Sequence, residues 1–336
     1  MITHVQINNF RSFINAGVAL QPFSLILGAN GSGKSNLLRF FQVVSREPES
    51  VDPRNLRIKG IGVTGNPLWI PHDNHPEDGA GFVIKLKDGQ TYEGRPNSPL
   101  KQPGVEGRAP WANKVPLFNL NPDIISAVEE ILPQATVEAT GQGTTQVLDI
   151  LKNGDHEDLF DKIETHLRRY VPEVEKLSLR TVKKGFKQIQ VREKGLKNPT
   201  LGPELSEGTR LILAILTIIH QESPPPIILL EDIDRGMHPR LFEYIAPLMK
   251  DIAVRAGVNI LATTHNPYLV DAFQEDRNAV IIVEKKDGVS TLSTLEERAA
   301  DLNDDETDPD DMPLGQLWFS GLVGGTPRRI SHLAKP

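Results

Sequence analysis

The chain contains no cysteine. A disulfide framework, a thiolate zinc site and a cysteine nucleophile are therefore excluded. It also lacks a long apolar run: Leu211 to Ile219 is interrupted by Thr217 and is far too short to span a bilayer. Met1 to Phe13 alternates polar and apolar residues and has none of the apolar core of a secretory leader. The expectation is a cytoplasmic protein with no membrane segment. There is no internal repeat, and no heptad run long enough for a coiled-coil arm. What remains is 336 residues, 38% hydrophobic and 24% charged, an ordinary globular composition with enough apolar material for one large α/β domain.

The net charge of −7 disfavours uniform coating of nucleic acid but hides an asymmetry. Residues 168–197 hold ten Lys/Arg against three Glu, and residues 301–311 hold seven acids and no base. The basic stretch is either a solvated face or a phosphate-contacting surface. Val174, Leu177, Leu179, Val182 and Phe186 are interleaved in it as core-facing residues would be.

Periodicity gives strands at Met1 to Asn8 and Phe23 to Leu27, a helix at Ser35 to Val44, and a hairpin at Phe82 to Leu86 turning at Asp88-Gly89. The Pro- and Gly-rich stretch 96–116 reads as a loop. Helices are expected at Pro122 to Leu132, Thr144 to Lys152 and His156 to Tyr170, with a two-stranded ribbon at Arg180 to Glu193. Beyond Gly202, helix and strand alternate: helix Gly208 to Gln221, strand Ile227 to Leu230, helix Pro239 to Ala256, strand Val258 to Ala262, helix Asn266 to Phe273 and strand Ala279 to Val283. That alternation implies a mainly parallel sheet with an antiparallel hairpin region. The expected organisation is one domain over 1–336, a helical and ribbon lobe inserted at 96–200, and a tail at 300–336.

Gly28-Ala29-Asn30-Gly31-Ser32-Gly33-Lys34-Ser35 has the spacing of a phosphate loop. Glycines let successive backbone N–H groups wrap an anion at a helix N-terminus. Lys34 would reach the β- and γ-phosphates, and the Ser35 hydroxyl would ligate magnesium. Asn30, Gly31, Ser32 and Gly33 complete the cradle. Ile227-Ile228-Leu229-Leu230-Glu231-Asp232 is an apolar strand ending in two acids, which either cap a surface turn or hold a magnesium-bound water and orient an attacking one. Leu205-Ser206-Glu207-Gly208-Thr209-Arg210 opens a helix, as a simple cap or as an anion site. Thr263-Thr264-His265 ends another apolar strand, on the side where open α/β sheets bind ligands.

This ordered set, with Asn9-Phe10-Arg11-Ser12-Phe13 before it, resembles the ABC-type ATPases of the SMC/RecF/OLD branch, and among them the AAA-type heads related to OLD proteins of phage-defence operons. The resemblance implies a P-loop α/β fold, ATP and Mg2+ as ligands, and a homodimer closing head to head around two nucleotides. It implies nucleotide contacts from Arg11, and from Ser206 and Gly208 to the opposite protomer's ATP. Glu231 becomes the magnesium acid, Asp232 the catalytic acid and His265 the γ-phosphate sensor. The implied partner is a separately encoded nuclease or effector, with DNA contact through 168–197 in view. Glu231-Asp232-Ile233-Asp234 and Met237-His238-Pro239 match the branch's acidic cluster and His-Pro turn.

Two features depart from the branch. Its usual acid order is Asp-Glu or Glu-Glu, so Asp232 is one methylene short and slow hydrolysis is expected. Its Q-loop glutamine has no clear counterpart. His72, Asp73, His75, Glu77 and Asp78 lie in a Pro/Asn/Gly-rich turn rather than a metal-ligand spacing. Asp232-x-Asp234 directly follows the apolar strand, which argues against a TOPRIM pair. Only 71 residues follow His265, with no second acidic catalytic domain among them. The competing readings are a transporter's nucleotide-binding subunit, disfavoured by the absence of a Gly-Gly-Gln signature, and a non-hydrolysing clamp. Trp318 and Phe319 in the tail either pack on their own domain or dock a partner.

Overall fold

The computed structural model describes residues 1–45, 81–94, 115–235, 242–302 and 312–326. The 72–78 turn and Met237-His238-Pro239 lie outside them, as do most of the loop at 96–116 and most of the acidic stretch. The chain divides into two compact units, one formed by Met1–Asn113 and Leu261–Pro336, the other by Lys114–Ile260.

In chain order the first unit opens with β1 (Ile2–Phe10), β2 (Phe13–Ala19), β3 (Phe23–Leu27), α1 (Lys34–Val44), β4 (Gly81–Leu86) and β5 (Thr91–Gly94). The second contains β6 (Leu117–Phe118), α2 (Pro122–Ile125), β7 (Glu129–Glu130), α3 (Thr144–Asn153), α4 (Glu157–Tyr170), β8 (Val174–Lys183), β9 (Phe186–Glu193), β10 (Thr200–Leu201), α5 (Glu207–His220), β11 (Ile227–Leu230) and α6 (Phe242–Ala256). The chain then runs through β12 (Asn259–Thr263), where the division falls, α7 (Pro267–Asp271), β13 (Val280–Lys286), β14 (Val289–Thr294), α8 (Leu295–Ala300) and α9 (Leu314–Phe319).

The fold is mixed α/β. In the first unit β2-β1-β4-β5 form an antiparallel sheet. Beside it β13 pairs in parallel with β3 and antiparallel with β14, and β12 flanks β3. Every residue of β3 is buried, so it reads as a continuous apolar run with no alternation. Helix α1 presents Leu37, Leu38, Phe40, Phe41 and Val44 to the core. Phe40 meets Phe10 and Phe82 edge to face at 5.5 and 5.6 Å, seating α1 on β1 and β4.

In the second unit the ribbon is longer than the sequence suggests, β8 pairing with β9 over 174–193. Val174 and Leu177 are buried as expected, but Val182 is 50% exposed. The helix expected at Pro122 to Leu132 stops after one turn. The Ser126 hydroxyl donates back to the Pro122 carbonyl at 3.0 Å, and Glu129 turns inward in β7, where its carboxylate accepts N–H bonds from Gly143 and Gln146 at the start of α3. Desolvation pushes the Glu129 carboxyl above its ordinary range, and those amides oppose the shift.

His220, at the end of α5, lies 5.2 Å from His166 of α4, ring to ring. Burial lowers its pKa from 6.5 to about 4; a contact to the Leu216 carbonyl opposes this, while His166 and Lys162 add to it. Because the folded state resists protonating this ring, stability falls as the pH drops from 6.5 towards 4. Between pH 7 and 5 the His220 contribution costs about 2 kcal/mol. Urea titrations should show that loss in the wild type and a flatter profile in His220→Gln.

Candidate functional site

The first unit carries Arg11, the loop at 28–35 and His265. Fully buried β3 delivers the chain to Gly28, and α1 leaves from Gly33, so the loop hangs between two anchored elements. Gly28, Gly31 and Gly33 have φ of 154°, 77° and 121°. A Cβ at Gly28 would strike the Val283 carbonyl of β13 and Ser32 Oγ; one at Gly33 would stand 2.7 Å from Ser290 Oγ of β14. These two glycines are required by close approach as well as by conformation.

Lys34 is buried, and its ammonium donates to the Gly28 and Ala29 carbonyls at 2.5 and 3.1 Å. Among the described residues the buried Ser32 hydroxyl has no hydrogen-bond partner, an unmet polar group inside the loop. Ser35, Asn30 and Gly31 are exposed. An ammonium folded over a loop of glycines, an orphaned hydroxyl and a helix N-terminus all suit a polyphosphate.

Arg11 stands in the tight turn joining β1 to β2, with φ of 51°. A non-glycine residue there is strained, the kind of outlier that marks functional sites. Its Nη1 donates to Asn36 Oδ1 of α1 at 2.9 Å, and its buried Nε has no partner among the described residues. Burial, and then the nearby Arg39, lower its pKa. A bound anion would relieve both. His265 is exposed one residue beyond Thr264, whose amide donates to the Ile26 carbonyl of β3. The histidine therefore emerges beside the strand that feeds the loop.

The second unit carries Ser206, Gly208, Glu231 and Asp232. Ser206 is the N-cap of α5: its Oγ accepts from the Thr209 amide at 3.1 Å and lies 2.8 Å from Thr209 Oγ1. The simple capping role is thus realised, and Ser206 and Glu207 remain exposed while Gly208 is buried. Buried β11 ends at Leu230, and the amide of the next residue, Glu231, donates to the Phe118 carbonyl of β6 at 2.9 Å. Asp232 is exposed and sits at φ 49°. On the ribbon, Arg180, Lys183, Lys184, Arg192, Lys194 and Lys197 are exposed. Lys187 is engaged by Asp149 at 2.5 Å.

Ser290 and Asn36 escaped the sequence reading. Ser290 is buried in β14 and donates to the Ser32 carbonyl at 2.5 Å. No local pattern marks a serine so far from the loop it touches. Trp318 is buried and Phe319 is 75% exposed, so the tail's two aromatics divide between packing and display.

Residues 146–271 match the family model described as "AAA domain, putative AbiEii toxin, Type IV TA system", and residues 1–85 match the AAA ATPase domain. No curated protein matches the chain. Among solved structures it is similar to the SMC head bound to the C-winged helix domain of ScpA, at 17% identity, TM-score 0.53, covering 87% of this chain and 97% of that one. The SMC head domain from Thermotoga maritima gives 14% identity, 87% and 98% coverage and a TM-score of 0.46. The Pyrococcus furiosus SMC head with an extended coiled coil, bound to the C-terminal domain of ScpA, gives 16%, 90% and 98%, and 0.49. The loop at 28–35 has the spacing and backbone conformation of a phosphate loop, set in a mixed α/β fold. Two separate stretches of the chain match AAA-type ATPase models, and its fold is similar to that of an SMC head domain.

Proposed function

We propose that the protein is an ATP-binding and ATP-hydrolysing switch that closes as a head-to-head homodimer around two Mg-ATP and controls a separately encoded nuclease or effector, or bound DNA. The observation that carries this reading is the loop at 28–35, with a buried ammonium folded over it and an orphaned hydroxyl inside it. Asn30 to Gly33 offer backbone amides to the phosphates, Lys34 turns from the Gly28 and Ala29 carbonyls to the β- and γ-phosphates, and Ser35 and Glu231 serve the magnesium. The metal, when bound, neutralises charge developing on the transferred phosphoryl group. Asp232 orients and deprotonates the attacking water, and His265 and Arg11 answer to the γ-phosphate. Ser206 and Gly208 serve the nucleotide of the opposite protomer, the α5 N-terminus supplying a favourable dipole. The exposed bases of 168–197 are the surface for nucleic acid, with Lys187 drawn away by Asp149. The biological setting in this reading is phage defence or genome maintenance in the cytoplasm, with Phe319 a docking point for the effector. A clamp that binds ATP without hydrolysing it is the second reading, favoured by the short acid at 232.

Ser206→Arg tests the composite site. It should leave nucleotide affinity within about threefold and abolish ATP-dependent dimerisation, since a bulky cation there blocks the facing protomer. Light scattering with and without ATP decides. A mutant that still doubles its mass with ATP refutes the arrangement.

A further inference from the structure

We infer that Ser12, Asn36 and Ser290 form a positioning relay that ties the Arg11 guanidinium to the phosphate loop, so that anion capture by Arg11 and seating of the loop are one event. The inference rests on the reading of residues 28–35 as a nucleotide loop. Its first two links follow from donor chemistry. A guanidinium has no acceptor, so the Asn36 atom 2.9 Å from Arg11 Nη1 is the carbonyl oxygen. The amide nitrogen of Asn36 then faces Ser12 and donates to its Oγ at 3.0 Å. Ser290 Oγ stands 2.7 Å from Ser12 Oγ and 2.5 Å from the Ser32 carbonyl, and its one hydrogen serves either acceptor. Arg11 and Asn36 donate towards the loop, and the Ser290 hydroxyl joins Ser12 Oγ to the loop carbonyl.

The relay is built into fixed parts of the unit. Asn36 lies in the first turn of α1, Ser12 follows the strained Arg11, and the Ser290 amide holds the Ser12 carbonyl at 2.6 Å. Ser290 Oγ also occupies the space that a Cβ at Gly33 would need, so β14 touches the loop on two successive residues. Near Arg39, Arg11 keeps a buried Nε with no partner among the described residues. An anion drawn to that guanidinium pulls on Asn36, and the shift passes through two hydroxyls to a carbonyl between two loop glycines. Polarisation along such a chain makes its links mutually reinforcing.

The test is binding of fluorescent ATP and ADP analogues, with magnesium, to the full chain. Ser290→Ala should weaken both by about five- to tenfold, the effect of one lost hydrogen bond with its acceptor left buried. Ser12→Ala, which cuts the same relay one link away, should match it, and it serves if Ser290→Ala does not fold. In the double variant Arg11→Ala/Ser290→Ala the losses should fall several-fold short of the product of the single ones. Unchanged affinity in both serine variants, or losses that multiply, overturns the relay even if the melting temperature drops. Failure of the nucleotide reading is separable, because the wild type itself would then bind neither analogue.

Discussion

Lys34→Ala is expected to lower ATP and ADP affinity by at least about a hundredfold, while the protein still folds. The lysine has two roles in the proposed reading. In the loop as it stands, the buried ammonium fastens the Gly28 and Ala29 carbonyls. With nucleotide present it would be the fixed positive charge of the proposed cradle, and charge-assisted hydrogen bonds to phosphate are about twice as strong as neutral ones. Alanine removes both the loop's internal tie and the charge. The anchoring of the loop at β3 and at the aromatic seat of α1 is untouched, so the melting curve should stay cooperative. Calorimetric titration with Mg-ATP measures the effect. Affinity within a few-fold of wild type would remove the loop from nucleotide binding and the central reading with it.

The setting of the loop was legible because its glycines, lysine and serine are contiguous between an apolar strand and a helix. The same holds for β3 and β11, whose full burial leaves unbroken apolar stretches, and for α1, α3 and α4, whose spacing matches the observed helices. Features that depend on a distant partner were not legible. Ser290 contacts Ser32 across 258 positions, and nothing around it announces that contact. The sequence reading assigns no strand to Phe13–Ala19 or Val289–Thr294, yet both lie in sheets, paired antiparallel with β1 and β13. The helix read through Glu129 failed for a related reason. The spacing of apolar residues fits a helix, but the carboxylate is held inward by the amides of a later helix. Parallel pairing is seen at β13 with β3 and at β11 with β6, whereas the β1 sheet and the β8–β9 ribbon are antiparallel. Runs of alternating residues outside the core strands carry that difference only weakly.

Asp232→Asn should reduce ATP turnover by at least about a hundredfold, leave nucleotide affinity within about threefold and accumulate an ATP-bound dimer. The substitution is clean for a backbone reason. Residue 232 has φ of 49°, a region that Asp and Asn tolerate better than any other non-glycine residue, so the swap removes the base and keeps the turn. The same angle bears on why residue 232 is an Asp rather than the Glu that the proposed reading would lead one to expect. A longer acid there would carry a backbone cost of about 1 kcal/mol, because only a short polar side chain can hydrogen-bond locally in that conformation. Asp232→Glu therefore sets reach against strain: the carboxylate gains about 1.5 Å, and the turn pays in stability. If reach limits the wild type, turnover rises in the Glu variant despite a lower melting temperature, and the protein is a slow ATPase by the length of its acid. If turnover falls, the short acid is already matched to its backbone and slow hydrolysis has another origin. Turnover near wild type in Asp232→Asn would remove Asp232 from the chemistry and leave the ATP-binding clamp as the better account.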